Sequence, residues 1–244
     1  DQEGISLGSE FARGSVRLNL DNKTTNWLKI GTSIQLTRIN ENVNSTNTGV
    51  ISQALGQTPD IPLKNPDGSF AGGESTNGWV RNLVNPVALP AMNKNDLRRN
   101  QLFANFYADI AFTKDLSFRN EISGSYSYNT TDRFSPKYKF GNTERLENEA
   151  TYGYVQNYYT TFRSFLTYAK VFKSKYYVNV LAGHEAQWSE YENVSATRKN
   201  FISNSVTNIS SGDIGTATNS GTRGDGAQES YFGRVNFIYN DKYL

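Results

Sequence analysis

The sequence predicts an all-β fold, an antiparallel transmembrane β-barrel segment of about seven strands from a larger barrel, and three observations carry that prediction. Apolar and polar residues alternate with period two over arms roughly twice the five to six residues usual for a strand. The connections between these arms alternate strictly between short and long. No run approaches the roughly 18 apolar residues of a membrane helix, yet Tyr 15, Phe 14 and Trp 3 make the chain rich in aromatic residues for one so polar. A barrel wall produces this combination, because only alternate residues meet lipid and the interfacial girdles are aromatic.

The hairpin over 98–128 is the clearest element. In its first arm Leu102, Ala104, Phe106, Ala108, Ile110 and Phe112 alternate with Gln101, Asn105, Tyr107 and Asp109. Its second arm sets Leu116, Phe118, Ile122, Tyr126 and Tyr128 against Ser117, Arg119, Glu121, Ser123, Ser125 and Ser127. Both apolar sets fall on even positions, so the connection 113–115 keeps them on one side when 112 pairs with 116. That register places Ile110 opposite Phe118, Phe106 opposite Ile122, Leu102 opposite Tyr126, and Asp109 opposite Arg119 on the polar side. About nine to eleven residues cross a bilayer as a tilted strand, and each arm is long enough.

Taken in order, Val16, Leu18 and Leu20 mark a strand over 14–20, and 21–26 reverses the chain. A second strand over 27–39 puts Leu28, Ile30, Ile34 and Leu36 on its apolar side. Residues 40–97, dense in Asn, Gly, Pro, Ser and Thr, form a long excursion, of a kind that is usually functional. Trp79 and Phe70 within it are candidates to stack on a sugar ring, or else simply to pack the loop down. After the central hairpin, 129–150 is a second excursion.

Tyr152 and Tyr154 mark re-entry to a strand that reaches Phe172, turns at 173–175, and returns through Val178, Val180 and Ala182 to Trp188. Pairing 172 with 176 sets Arg163 opposite Glu185 and Phe165 opposite Gly183 on the inner face. His184 falls on the apolar side, which places it at the membrane interface or demands a bulge near Gly183. A third excursion covers 190–228, a last strand runs over about 229–239, and 243–244 begins another. Bacterial barrels have even strand numbers, so the chain reads as cut from a larger wall.

The stretches GSVRLNLDNKTTNWLKIG (14–31), RNQLFANFYADIAFTKDLSFRNEISGSYSY (99–128), FLTYAKVFKSKYYVNVLAGHEAQ (165–187) and SYFGRVNFIYNDKYL (230–244) resemble the barrel of SusC/RagA-like TonB-dependent outer-membrane transporters. The resemblance implies a barrel of about 22 strands with a plugged lumen. It implies import of oligosaccharides or peptides across the outer membrane of a Gram-negative bacterium, TonB acting from the periplasm, and a SusD-like surface lipoprotein over the outer mouth. Neither a plug domain nor a TonB-contacting segment is found over 1–244, so this stretch is expected to supply wall and loops only.

Other chemistry finds little support. With 25 Lys and Arg against 23 Asp and Glu, the net charge of +2 gives no reason to expect nucleic acid or an anionic surface as partner. Zero cysteines removes thiolate metal sites, disulfides and thiol nucleophiles. The first ten residues carry no signal core, as in a mature form or a fragment, and a fragment is the reading adopted.

A barrel hydrolase would need the single histidine, His184, as its base. Asp213, Asp225 and Glu229 lie in a glycine-rich stretch but match no calcium-loop spacing, and no cofactor motif occurs. The expected site residues are therefore inner-wall charge pairs, Asp109 with Arg119 and Arg163 with Glu185, with Trp79 and Phe70 as loop contacts to substrate. A soluble β-rich surface-binding or adhesion protein is the remaining alternative.

Overall fold

The computed structural model describes residues 2–3, 8–42, 50–72 and 84–240. Seven long strands dominate: β1 (Glu10–Lys23), β2 (Leu28–Asn42), β3 (Lys94–Ala111), β4 (Leu116–Ser135), β5 (Glu149–Phe172), β6 (Tyr176–Lys199) and β7 (Thr218–Tyr239). They form one sheet in chain order, each antiparallel to the next, with the two-residue strand Gln2–Glu3 beside β1. Up-and-down order needs only local connections, and the short ones are built by their own side chains. The Thr25 hydroxyl accepts from the Leu28 amide at 3.0 Å, and the Thr113 hydroxyl from the Leu116 amide at the same distance. Between β5 and β6, Lys173 and Ser174 both adopt positive φ, and the Lys175 amide closes the turn on the Phe172 carbonyl at 3.1 Å. Those are the dihedral signs of a type I′ hairpin turn.

The expected registers are observed. Ile110 pairs with Phe118, Phe106 with Ile122, Leu102 with Tyr126 and Asp109 with Arg119. Arg163 pairs with Glu185 and Phe165 with Gly183. Parity is unbroken through the sheet, so even positions of β1 to β6 and odd positions of β7 share the apolar face. No bulge interrupts β6 near Gly183, and His184 stays on the apolar face.

Strands run further toward the long loops than hydropathy predicts. β5 and β6 are 24 residues each, about 80 Å at ~3.3 Å per residue, well beyond the membrane thickness. The excursions correspondingly shrink to 43–93, 136–148 and 200–217. The cause is that a hydrogen-bonded ladder needs no apolar side chains once it leaves lipid, so Asn, Ser, Thr and Gly continue it in β6 and β7.

The sheet has no conventional core. Phe106 and Ile122 remain 49% exposed on the apolar face, and Leu36, Leu102 and Leu166 are exposed beside them. Aromatic pairs border this face: Tyr128 with Tyr154 and Tyr158 with Trp188 toward the long loops, Tyr176 with Phe237 and Tyr239 toward the short turns. Burial is instead concentrated at the loop end, where Phe134, Ala150 and Phe201 pack together with Val206. Asn148, 1% exposed, locks this cluster by accepting from the Phe201 amide at 2.7 Å and donating to the Phe201 carbonyl at 3.2 Å.

Candidate functional site

On the polar face two neighbouring rows of the sheet carry the charged residues. One row runs Lys29, Asp109, Arg119, Phe165, Gly183, and the other Gly31, Tyr107, Glu121, Arg163, Glu185. Alternation of sign within these rows lets each group meet an opposite charge. Arg119 Nη1 donates to both carboxylate oxygens of Asp109 at 3.3 Å, and Nη2 to Glu121 at 3.3 Å. The other Glu121 oxygen lies 3.6 Å from Arg163, whose Nε donates to Glu185; Gln187 also donates to Glu185.

The ladder extends beyond β3. Tyr107 lays its ring over Gly31, where a Cβ would collide with the ring, and donates its hydroxyl to Asp21. The Arg119 guanidinium sits 4.1 Å from the centroid of that ring, and Lys29 lies 3.8 Å from Asp21. Asp21, Asp109, Glu121 and Glu185 thus alternate with Lys29, Arg119 and Arg163, and the strip is close to electroneutral. Glu121 is the least exposed of the ladder's paired charges, with Glu185 close behind, while Arg119 stays more open. Water screens pairs this open, so each adds little stability by itself, and the strip's main effect is to hold a hydrated, polar surface in fixed geometry.

The two pairs expected from the hairpins are present as contacts, and Glu121 joins them into one network. That link spans the β4–β5 connection, a long loop rather than a tight turn, so no turn rule could have supplied its register from sequence. The contacts of Tyr107 with Asp21 and Gly31 escape sequence reasoning for the same cause, since 43–93 separates β2 from β3, whereas Asp21 and Lys29 meet across the short β1–β2 turn. The ring over Gly183 is that of Phe232, close enough to collide with any Cβ placed there, and not that of Phe165; Phe165 meets Phe232 edge-on at 6.0 Å.

Phe70 bridges to Lys64 in a small loop hairpin and packs edge-on against Phe140 at 6.1 Å, an arrangement that ties two loops together. Trp79 lies outside the described residues. His184 Nε2 lies 2.8 Å from Glu229, whose carboxylate also accepts from Tyr231 at 2.8 Å. Ser164 is directly across from His184, but its hydroxyl donates to Asn120 at 2.6 Å. That geometry pairs no nucleophile with the imidazole. Asp213 accepts from the Gly215 amide at 2.9 Å, and no acidic or histidine group suited to a metal occurs among the described residues.

Both the sequence and the fold have counterparts among known proteins. TonB-dependent receptor P3 of Formosa agariphila is 28% identical over 253 residues, a match covering all of this chain and 25% of that protein. TonB-dependent receptor P26 of the same organism is 26% identical over 260 residues, covering all of this chain and 24% of that protein. The chain spans about a quarter of the length of these curated relatives. No protein-family model matches it. The structure of the RagAB peptide transporter superposes with a TM-score of 0.72 at 19% identity, over 95% of this chain and 26% of that one. The RagAB peptide importer in its open-open state gives the same TM-score and coverage. The chain is thus similar along its whole length to two TonB-dependent receptors, and its fold is that of a segment of the RagAB peptide transporter.

Proposed function

We propose that this chain, kin to TonB-dependent receptors and folded as RagAB barrel wall, is an arc of a SusC/RagA-like TonB-dependent transporter in the outer membrane of a Gram-negative bacterium. The observation that carries the reading is the unbroken parity of seven strands. It commits one face to lipid and leaves the other, with its charge ladder, to a water-filled lumen. The short turns then face the periplasm, and the three excursions face the exterior.

The cargo is an oligosaccharide or a peptide, and the name of the RagAB peptide transporter supports the peptide arm. TonB acts through parts of the protein outside these residues, and a SusD-like surface lipoprotein covers the outer mouth. The wall contributes passage and not catalysis. Asp109, Arg119, Glu121, Arg163 and Glu185 keep the passage polar, and Phe70 serves loop packing in place of a sugar contact.

Uptake of defined peptide and oligosaccharide mixtures, compared between cells with and without the gene and with and without a protonophore, tests the reading. Gene-dependent, protonophore-sensitive depletion of one class is expected. Uptake indifferent to both would overturn it. H184A is expected to leave uptake unchanged and abolish no hydrolysis, because the imidazole faces lipid beside Glu229.

A further inference from the structure

Above the apolar band, on the lipid-facing side, two cavities meet at Arg38. The lower one, about 570 Å³, is a groove between Val16, Leu36, Leu102 and Tyr126, closed above by Arg38 and Asn100. The upper one, about 670 Å³, is lined by Arg38, Arg98, Asn40, Asn42, Asp96 and Glu10 among others. Register explains the junction. Val16, Leu36, Leu102 and Tyr126 share one row, Gly14, Arg38 and Asn100 the next on that face, and Ala12, Asn40 and Arg98 the one above. Arg38 and Arg98 are therefore diagonal neighbours, close enough for both guanidiniums to reach one anion.

Neither arginine has an ion-pair partner among the described residues, whereas Arg99, one position along and on the polar face, holds Glu41 at 3.0 Å. Within β1 to β4 the acids on their own face are Asp96, Asp132 and Glu10. All three lie in the row above Arg98; Lys94 holds the first two, at 3.7 Å and 2.5 Å, and Glu10 sits at the far side of that row on β1. A Cβ on Gly14 would meet nothing within 4 Å, so the space beside Arg38 is open.

We propose that this junction binds a phosphorylated glycolipid of the outer leaflet: an acyl chain in the groove, its phosphate on Arg38 and Arg98, and its sugar hydroxyls on the amides and carboxylates above. The inference rests on the barrel reading, which sets this face in lipid. Local placement and not net charge carries it, since the chain as a whole is only +2. Both guanidiniums are exposed at the rim of the apolar band, where one anionic headgroup can accept charge-assisted hydrogen bonds from the two at once.

The test uses the full-length protein purified in a non-ionic detergent, titrated with bisphosphorylated lipid A, its dephosphorylated counterpart, phosphatidylglycerol and inorganic phosphate, with binding read by native mass spectrometry. Wild type is expected to prefer bisphosphorylated lipid A to the dephosphorylated form by about tenfold or more, and R38Q/R98Q to lose that preference. Inorganic phosphate is expected to compete weakly, because it lacks the acyl chain. Equal binding of both lipid A forms, an undiminished preference in the variant, or phosphatidylglycerol bound as tightly would each overturn the proposal while leaving the barrel intact. A protein folded and monomeric without detergent would instead remove the barrel reading itself. Heat-modifiable migration on semi-native gels verifies that the variant is folded, and single R98Q is read the same way should the pair not assemble.

Discussion

Glu121 is the residue on which the polar strip depends, because among the described residues it alone touches both Arg119 and Arg163. Replacing it with glutamine removes the carboxylate between two diagonal guanidiniums, which keep Asp109 and Glu185, and the water that screens them limits the cost to about 1 kcal/mol or less. Glutamine is therefore expected to shift the denaturant midpoint in detergent slightly, and E121K, which places three cations together, to shift it clearly more. S123A, on the same face one pair away, serves as the control that should not move. Asn148 makes a different case. It is buried and satisfies both backbone groups of Phe201, so N148A strands a buried N–H and C=O at a cost of about 1–3 kcal/mol. The loss is expected locally, as faster hydrogen exchange over 200–217 with the strands still protected. Residue identity alone could not rank these two: both are polar residues in a polar context, and only long-range register separates a rung from a buried lock.

At the scale of elements, the tight turns were legible and the long connections were not. Alternation with a three-residue turn determines the pairing of β3 with β4 and of β5 with β6, including both charge pairs, because parity forbids a one-residue slip. The partners across 43–93, 136–148 and 200–217 have no such rule, and those junctions hold Glu121, Tyr107 and the ring over Gly183. Strand ends depart from the hydropathy pattern where polar residues carry the ladder beyond lipid, as from 189 to 199 in β6. The turn between β5 and β6 is an element that can be improved. Lys173 and Ser174 sit at φ of 50° and 52°, and an Asn-Gly pair at these positions is expected to stabilise the hairpin by about 1 kcal/mol, read as a raised unfolding midpoint. Between loops, Gly72 packs against Gly141, where a Cβ would overlap the backbone nitrogen of its neighbour. G72V is expected to detach the first loop from the small hairpin Tyr138–Phe140 and Thr143–Arg145, and limited proteolysis should then cut within 50–72.

Across the whole molecule, the proposed barrel sets the two faces of the sheet in different solvents. Exposed Phe106, Ile122, Leu36 and Leu166 would be a liability in water over so large a continuous surface, and the aromatic pairs at both margins give that surface the height of a membrane band. The same division explains why the compact packing lies among the loops and why the charge ladder is open to solvent. The most direct measurement is a nitroxide scan of 117–124 in the full-length protein reconstituted in lipid, simplified by the absence of cysteine from this chain. Labels at 118, 120, 122 and 124 are predicted to collide preferentially with oxygen, and those at 117, 119, 121 and 123 with a water-soluble nickel chelate. Uniform accessibility along the strand, or the opposite parity, would contradict a lipid face opposed to a lumen face.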